Sequence, residues 1–191
     1  MSRYIIYKTA TTGLWDWNSP VESKTQPRLV QLAWGLYHGG TLKSEYSGVV
    51  LLPEGECIPE SASRIHGVTT EIMRSRGESL KGILTKFRQD YEQSDECAIY
   101  NFPFDLDVIT KACIDAMVDK IQIWKTGVHW IDIMKKATLE LRIPGNYGHY
   151  KSPTMKEAYE GITGREWGTP DLLGVVKRFN EILRVFGEGV E

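Results

Sequence analysis

Two short segments hold the residue types from which a reaction centre could be built. Residues 4–14 read Tyr-Ile-Ile-Tyr-Lys-Thr-Ala-Thr-Thr-Gly-Leu, and residues 98–109 read Ala-Ile-Tyr-Asn-Phe-Pro-Phe-Asp-Leu-Asp-Val-Ile. The first places an ammonium, Lys8, and several hydroxyls at the end of an apolar stretch. The second places Asp105 just after Pro103, in the opening turn of a helix whose dipole favours a carboxylate. The other titratable residues outline no centre of their own. His38, His66, His129 and His149 share no metal-ligand spacing, and Cys57, Cys97 and Cys113 contain no CxxC pair. So few cysteines, odd in number, fit buried thiols in a reducing compartment better than a disulfide framework. Asp107 and Asp171 read as helix caps or solvated charges.

The elements that must position these residues follow from periodicity. Residues 3–8 form a Tyr/Ile-rich run of strand type, followed by a polar, turn-rich stretch at 18–26. Further strands are predicted at 28–37 and 44–52, joined through His38-Gly39-Gly40, whose glycine pair signals a hairpin. Three strands in succession predict an antiparallel meander. The period then changes, because Leu80, Ile83, Leu84, Phe87 and Tyr91 share one helical face within residues 79–92. A short buried strand is expected at 98–100, a helix from Pro103 to about residue 117, and a last strand at 121–124. Short helices are expected at 130–139 and 154–161, around a Gly/Tyr/His loop at 144–153. Thr169-Pro170-Asp171 opens the final helix, with the Thr169 hydroxyl as N-cap and Pro170 at the first helical position. Its apolar stripe is Leu172, Leu173, Val176, Phe179, Leu183 and Phe186. The order predicts a mixed-sheet α/β fold, with residues 1–191 as one domain.

Composition narrows the function classes. With 191 residues, 41% of them hydrophobic, the chain is long enough for one core of useful size. A net charge of −2 gives no global attraction to nucleic acid, so such binding would need a local basic patch. The basic residues Lys111, Lys120, Lys125 and Arg165 are scattered, while Lys135, Lys136, Lys151 and Lys156 are candidates for one rim. The apolar run at 4–7 is too short for a secretory signal, and no run reaches transmembrane length. The expectation is a cytoplasmic protein without membrane contact.

The two segments resemble motifs of the DEDD-type 3′–5′ exonucleases, the polymerase-proofreading and RNase T branch. The first motif of that superfamily is an apolar strand followed by Asp-x-Glu-Thr-Thr-Gly-Leu. Its Asn-x-x-Phe-Asp motif is similar to Asn101-Phe102-Pro103-Phe104-Asp105, and its Ile-His-Gly-Ile-Thr loop to Ile65-His66-Gly67-Val68-Thr69. Asp132 falls where the family often has Asp after the last strand, and 152–159 resembles the approach to the third motif. The resemblance spans nearly the whole chain. It implies a ribonuclease H-like fold: an antiparallel three-strand meander plus parallel strands, flanked by helices.

The same resemblance implies that the chemistry has been lost. The family uses four carboxylates around two divalent cations, together with a general base, for in-line phosphodiester hydrolysis. At the matching positions this chain has Lys8, Ala10 and Asp105, and the third motif falls on Thr169 (the base position) and Gly174. One ligand of four remains, so no metal site is expected, and the ancestral Mg²⁺ or Mn²⁺ sites are expected to be lost. Lys8 is expected to pair with Asp105, standing in for the missing cation. Gly174 is anomalous in a helix, where glycine costs about 1 kcal/mol relative to alanine. Either loss of a ligand or close packing against the sheet explains it.

The functional reading is therefore a pseudo-exonuclease acting as a structural or protein-interaction module, self-association included. Its alternative is a non-catalytic module for single-stranded DNA or RNA that keeps the old cleft. Thr11, Thr12, Leu14, Trp15, Asn101 and Phe104 would make those contacts, with the aromatic rings stacking on bases or simply packing the fold. A weak exonuclease, with His149 as a displaced base, is the outside case. A viral or phage origin would suit an enzyme fold reused after loss of activity.

Overall fold

A computed structural model of the chain describes residues 2–118 and 127–187. Its centre is a five-stranded sheet of order β3-β2-β1-β4-β5. Strands β1 (Arg3–Thr11), β2 (Leu29–His38) and β3 (Thr41–Val49) form the expected antiparallel meander. Strands β4 (Glu96–Ile99) and β5 (His129–Asp132) extend it in parallel beside β1. The hairpin between β2 and β3 turns at Gly39 and Gly40, whose φ angles of 55° and 74° suit glycine.

Both faces of the sheet are covered, which is why β1 is buried along almost its whole length instead of alternating. On one face, Ile5, Tyr7 and Trp34 pack beneath α3 (Leu80–Tyr91) and α4 (Phe102–Asp115). Phe87 of α3 meets Tyr7 and Trp34 edge-on, with ring centroids 5.2 and 5.4 Å apart. On the other face, Tyr4, Ile6 and Tyr37 pack beneath α5 (Ile133–Leu141), α6 (Met155–Thr163) and α7 (Leu172–Val185). Full burial of side chains of this size contributes roughly 1.5–3 kcal/mol each, so the two layers hold the strand ends rigidly. Among the described residues, no helix is long and apolar enough to cross a membrane.

One sequence expectation lies outside the described residues, and others change. The predicted strand at 121–124 lies outside the described residues, and β5 comprises His129–Asp132, part of which was expected to start a helix. Asp132 ends that strand and caps α5 by accepting the Lys135 N–H at 2.9 Å. The stretch around the Ile65-His66-Gly67-Val68-Thr69 loop contains two short helices that periodicity did not reveal, α1 (Glu60–His66) and α2 (Thr70–Arg76). Seven residues are too few to display a helical period, but the stop and start signals are there: Gly67 at φ 77° and the Thr69 hydroxyl accepting from Ile72. At the last helix the N-cap is Asp171, whose Oδ1 accepts the Gly174 N–H at 2.7 Å, and not Thr169. Gly174 is explained locally. A Cβ there would sit 2.9 Å from the Pro170 Cβ and 3.1 Å from Asp171 Oδ1, so the cap itself crowds the position, and the sheet does not.

Candidate functional site

Alternation along β1 sends Lys8 and Ala10 to the same face, and a register shift against β2 between Ala10 and Thr11 then re-aims the chain. On its other side β1 pairs with β4 only from Tyr4 to Ile6. Beyond Ile6 the two strands separate. Asp105, in the first turn of α4, fills that split.

The turn from β4 into α4 is sharp because Asn101 takes left-handed backbone angles (φ 64°, ψ 65°), which asparagine tolerates better than most residues. Asp105 is thereby fully buried. Its Oδ2 accepts from Lys8 Nζ at 2.7 Å. Its Oδ1 accepts from Lys8 Nζ at 2.9 Å, from the Thr9 N–H at 3.0 Å and from the Thr9 hydroxyl at 2.6 Å. The ion pair expected from the sequence is therefore formed. Thr9 was not foreseen in this role. Its N–H would have needed β4 as a partner, so the early end of the β1–β4 ladder leaves it to the carboxylate. Lys8, only 9% exposed, also lies 5.2 Å from the centre of the Phe104 ring. The Phe104 ring is in turn met edge-on by Trp15 at 6.5 Å.

Of the two positions the resemblance assigned to the third motif, Gly174 lies in the first turn of α7 and Thr169 precedes the helix. Asn180 bonds the Tyr4 hydroxyl at 2.6 Å, and Arg184 lies beside Gly40, so the late turns of α7 sit at the start of β1. Its first turn, with Gly174, is thus directed toward the end of β1 that carries Lys8 and Ala10. Thr169 is exposed before the helix begins. This set offers one carboxylate, and four hydrogen bonds already occupy it. Hard divalent cations need several oxygen ligands, so the residues present do not fit the metal pair. Among the described residues, no three His, Cys, Asp or Glu side chains group as a metal site.

The Thr-Thr-Gly-Leu turn is held by its own hydroxyls. Thr11 Oγ1 donates to the Gly13 carbonyl at 2.8 Å, and Thr12 Oγ1 accepts the Arg28 N–H at 2.9 Å. Trp15 is buried in the core, so it offers no open stacking face. Leu14 and Trp17, 91% and 59% exposed, are the apolar groups the turn presents to solvent. A cleft of about 330 Å³ borders the turn and is lined in part by Thr12, Lys24 and Arg28. Arg28 is committed to Glu56 at 2.7 Å and Asp115 at 3.4 Å. His149 is exposed on the loop before α6.

His66 ties the α1–α2 junction together, its Nδ1 accepting the Val68 N–H at 3.1 Å. Its Nε2 is buried near the Thr11 backbone without closing a full hydrogen bond. Burial lowers its pKa below the usual 6.5, and the Thr11 backbone offsets part of that. The unfolded chain therefore takes up a proton first as pH falls. Stability is expected to decline from about pH 6.5 downward through the folded-state pKa. Denaturant melts from pH 8 to pH 5 check this. His66→Asn, which keeps the acceptor and cannot titrate, should remove that part of the slope.

No protein-family model matches the chain, and no curated protein sequence matches it. Solved structures do. Exonuclease I from Methylocaldum szegediense superposes with a TM-score of 0.75 over 98% of this chain, at 20% identity. The chain has the exonuclease I fold. An apo exonuclease I gives a TM-score of 0.72 over 96% of the chain at 16% identity. A zinc-bound E. coli exonuclease I in complex with single-stranded DNA gives 0.74 over 97% at 13% identity. This ribonuclease H-like fold accounts for the mixed sheet and for helices on both faces. The chain spans about two-fifths of the length of these proteins, 40–41% in the three cases.

Proposed function

We propose that this chain is a non-hydrolytic protein of the exonuclease fold, serving as a structural or protein-interaction module. The observation that carries the reading is the buried Lys8–Asp105 pair, at 2.7 Å. An ammonium is bonded to the one remaining ligand, and its charge repels a dication from the place where the family's two metals would act. A phosphodiester displacement on this fold needs those metals to stabilise the attacking and leaving oxygens. The pair leaves it neither ligands nor room.

A second reading, retained binding of single-stranded DNA or RNA, is favoured by the exposed Leu14 and Trp17 beside an internally braced turn. A solved neighbour of this fold in complex with single-stranded DNA supports the same reading. One experiment separates the readings. Purified protein is incubated with 3′-labelled DNA and RNA oligonucleotides, with Mg²⁺, Mn²⁺ or EDTA, and analysed on denaturing and native gels. Intact oligonucleotide throughout is the expected result. A retarded band that persists in EDTA and weakens with salt supports the second reading. Metal-dependent shortening from the 3′ end would overturn the proposal and revive the weak-exonuclease case.

A further inference from the structure

The loop between α5 and α6 is built unlike an ordinary connector. It closes on itself as a small hairpin: Gly145 N–H donates to the His149 carbonyl at 2.9 Å, and Lys151 N–H to the Ile143 carbonyl at 2.9 Å. At its tip Tyr147 takes a left-handed backbone (φ 55°), followed by Gly148 at φ 76°. That conformation is unfavourable for a bulky residue, and such strain is worth tracing to a use. Packing does not provide one, because Tyr147 is 97% exposed and Tyr150 is 49% exposed. The hairpin thus holds two phenol rings out in water on a defined backbone.

Within the hairpin segment itself the charged side chains have one sign. Between Glu140 and Glu157 the sequence has no carboxylate, while Arg142, Lys151 and Lys156 supply cations and His149 adds a titratable ring. Lys151 pairs with Glu157 at 2.7 Å and Lys156 with Glu160 at 4.0 Å. Both are exposed pairs of the kind worth about 1 kcal/mol or less, which a phosphate can exchange with. Among the described residues, Arg142 donates only to the Leu139 carbonyl, at 3.3 Å. The base of the loop is fixed to the mouth of the ancestral centre. The Tyr100 hydroxyl donates to the Pro153 carbonyl at 2.6 Å, and Tyr100 directly precedes the Asn101 turn that delivers Asp105.

Exposed aromatic rings beside cations held only in solvent-exposed pairs, on a hydrogen-bonded hairpin, are the elements that bind a single strand without reading its sequence: stacking on bases and contact to phosphates. We propose that the Arg142–Lys151 hairpin is a single-stranded nucleic-acid contact site, distinct from the old cleft, with Tyr147 and Tyr150 stacking on bases and Arg142 and Lys151 meeting the backbone. For its ligand class this rests on the single-strand reading above, but it places the contact on other residues.

The test is fluorescence anisotropy of labelled dT20 and rU20 with the full chain in EDTA across a salt series. The hairpin variant is Tyr147→Gly with Tyr150→Ala, and the cleft variant is Leu14→Ala with Trp17→Ala. Glycine relieves the left-handed backbone, so the hairpin variant should melt no lower than the parent, which excludes a trivial folding defect. Loss of the two rings is expected to weaken binding about tenfold or more. Arg142→Gln should flatten the log–log salt slope by about 0.7. Loss of binding in the cleft variant alone would overturn the hairpin site and leave the single-strand reading standing. An absence of binding by the parent protein would overturn both.

Discussion

Lys8→Met is expected to destabilise the fold by about 3–5 kcal/mol, the range for breaking a buried ion pair from one side. The cost arises less from the lost attraction than from what remains. Asp105 stays fully buried in the split between β1 and β4, and its Oδ2 loses the ammonium that was 2.7 Å away. The two Thr9 donors still serve Oδ1, which sets the lower end of the range. Urea denaturation at neutral pH gives the number directly. The informative control is the double variant Lys8→Met with Asp105→Leu, in which both charges are gone. Apolar replacement of a whole buried pair is often neutral or stabilising, so this variant should recover most of the loss. A Lys8→Met effect below about 1 kcal/mol would place the pair in the range of exposed bridges, and Lys8 would no longer account for a sealed centre.

Restoring the motif should produce the largest change in activity. The variant Lys8→Asp, Ala10→Glu, Thr169→His and Gly174→Asp rebuilds the family's pattern around Asp105. It is expected to bind Mg²⁺ where the parent does not, and to shorten single strands from the 3′ end. Metal-assisted charge stabilisation is worth several kcal/mol in the transition state, so a gain of at least about a thousandfold over the parent is expected. Calorimetric Mg²⁺ titration of the folded variant is the first readout and hydrolysis the second. The α7 substitution carries its own difficulty, since a Cβ at Gly174 would lie 2.9 Å from the Pro170 Cβ. The first turn must yield by several tenths of an ångström. For that reason Lys8→Asp with Ala10→Glu is worth titrating alone, since with Asp105 it already supplies three carboxylates. A folded four-residue variant that binds no metal would refute the assignment of these positions.

The exonuclease fold could be read from the chain because its signals are local. The strand-type run at 3–8, the Gly39-Gly40 turn and the helical face from Leu80 to Tyr91 each depend on near neighbours in sequence, and each formed. Boundaries set by capping competition were harder. Thr169 and Asp171 both carry an N-cap oxygen, and only the folded helix shows that Asp171 reaches the Gly174 N–H. Short helices such as α1 and α2 lack a full period and escaped notice for that reason.

The candidate site divides along the same line. The resemblance implied from residue types alone that one carboxylate of four remains and that a lysine stands at another position, because that expectation needs only identity and order. They could not give the geometry. Whether Lys8 reaches Asp105 depends on a strand pair that parts beyond Ile6, an asparagine that bends the chain into α4, and a Thr9 N–H that bonds the carboxylate instead of β4. Residues 97 positions apart meet there. Tertiary packing likewise decided that Trp15 faces the core while Trp17 and Tyr147 face water, since burial belongs to the whole fold and an aromatic residue in a sequence is compatible with either.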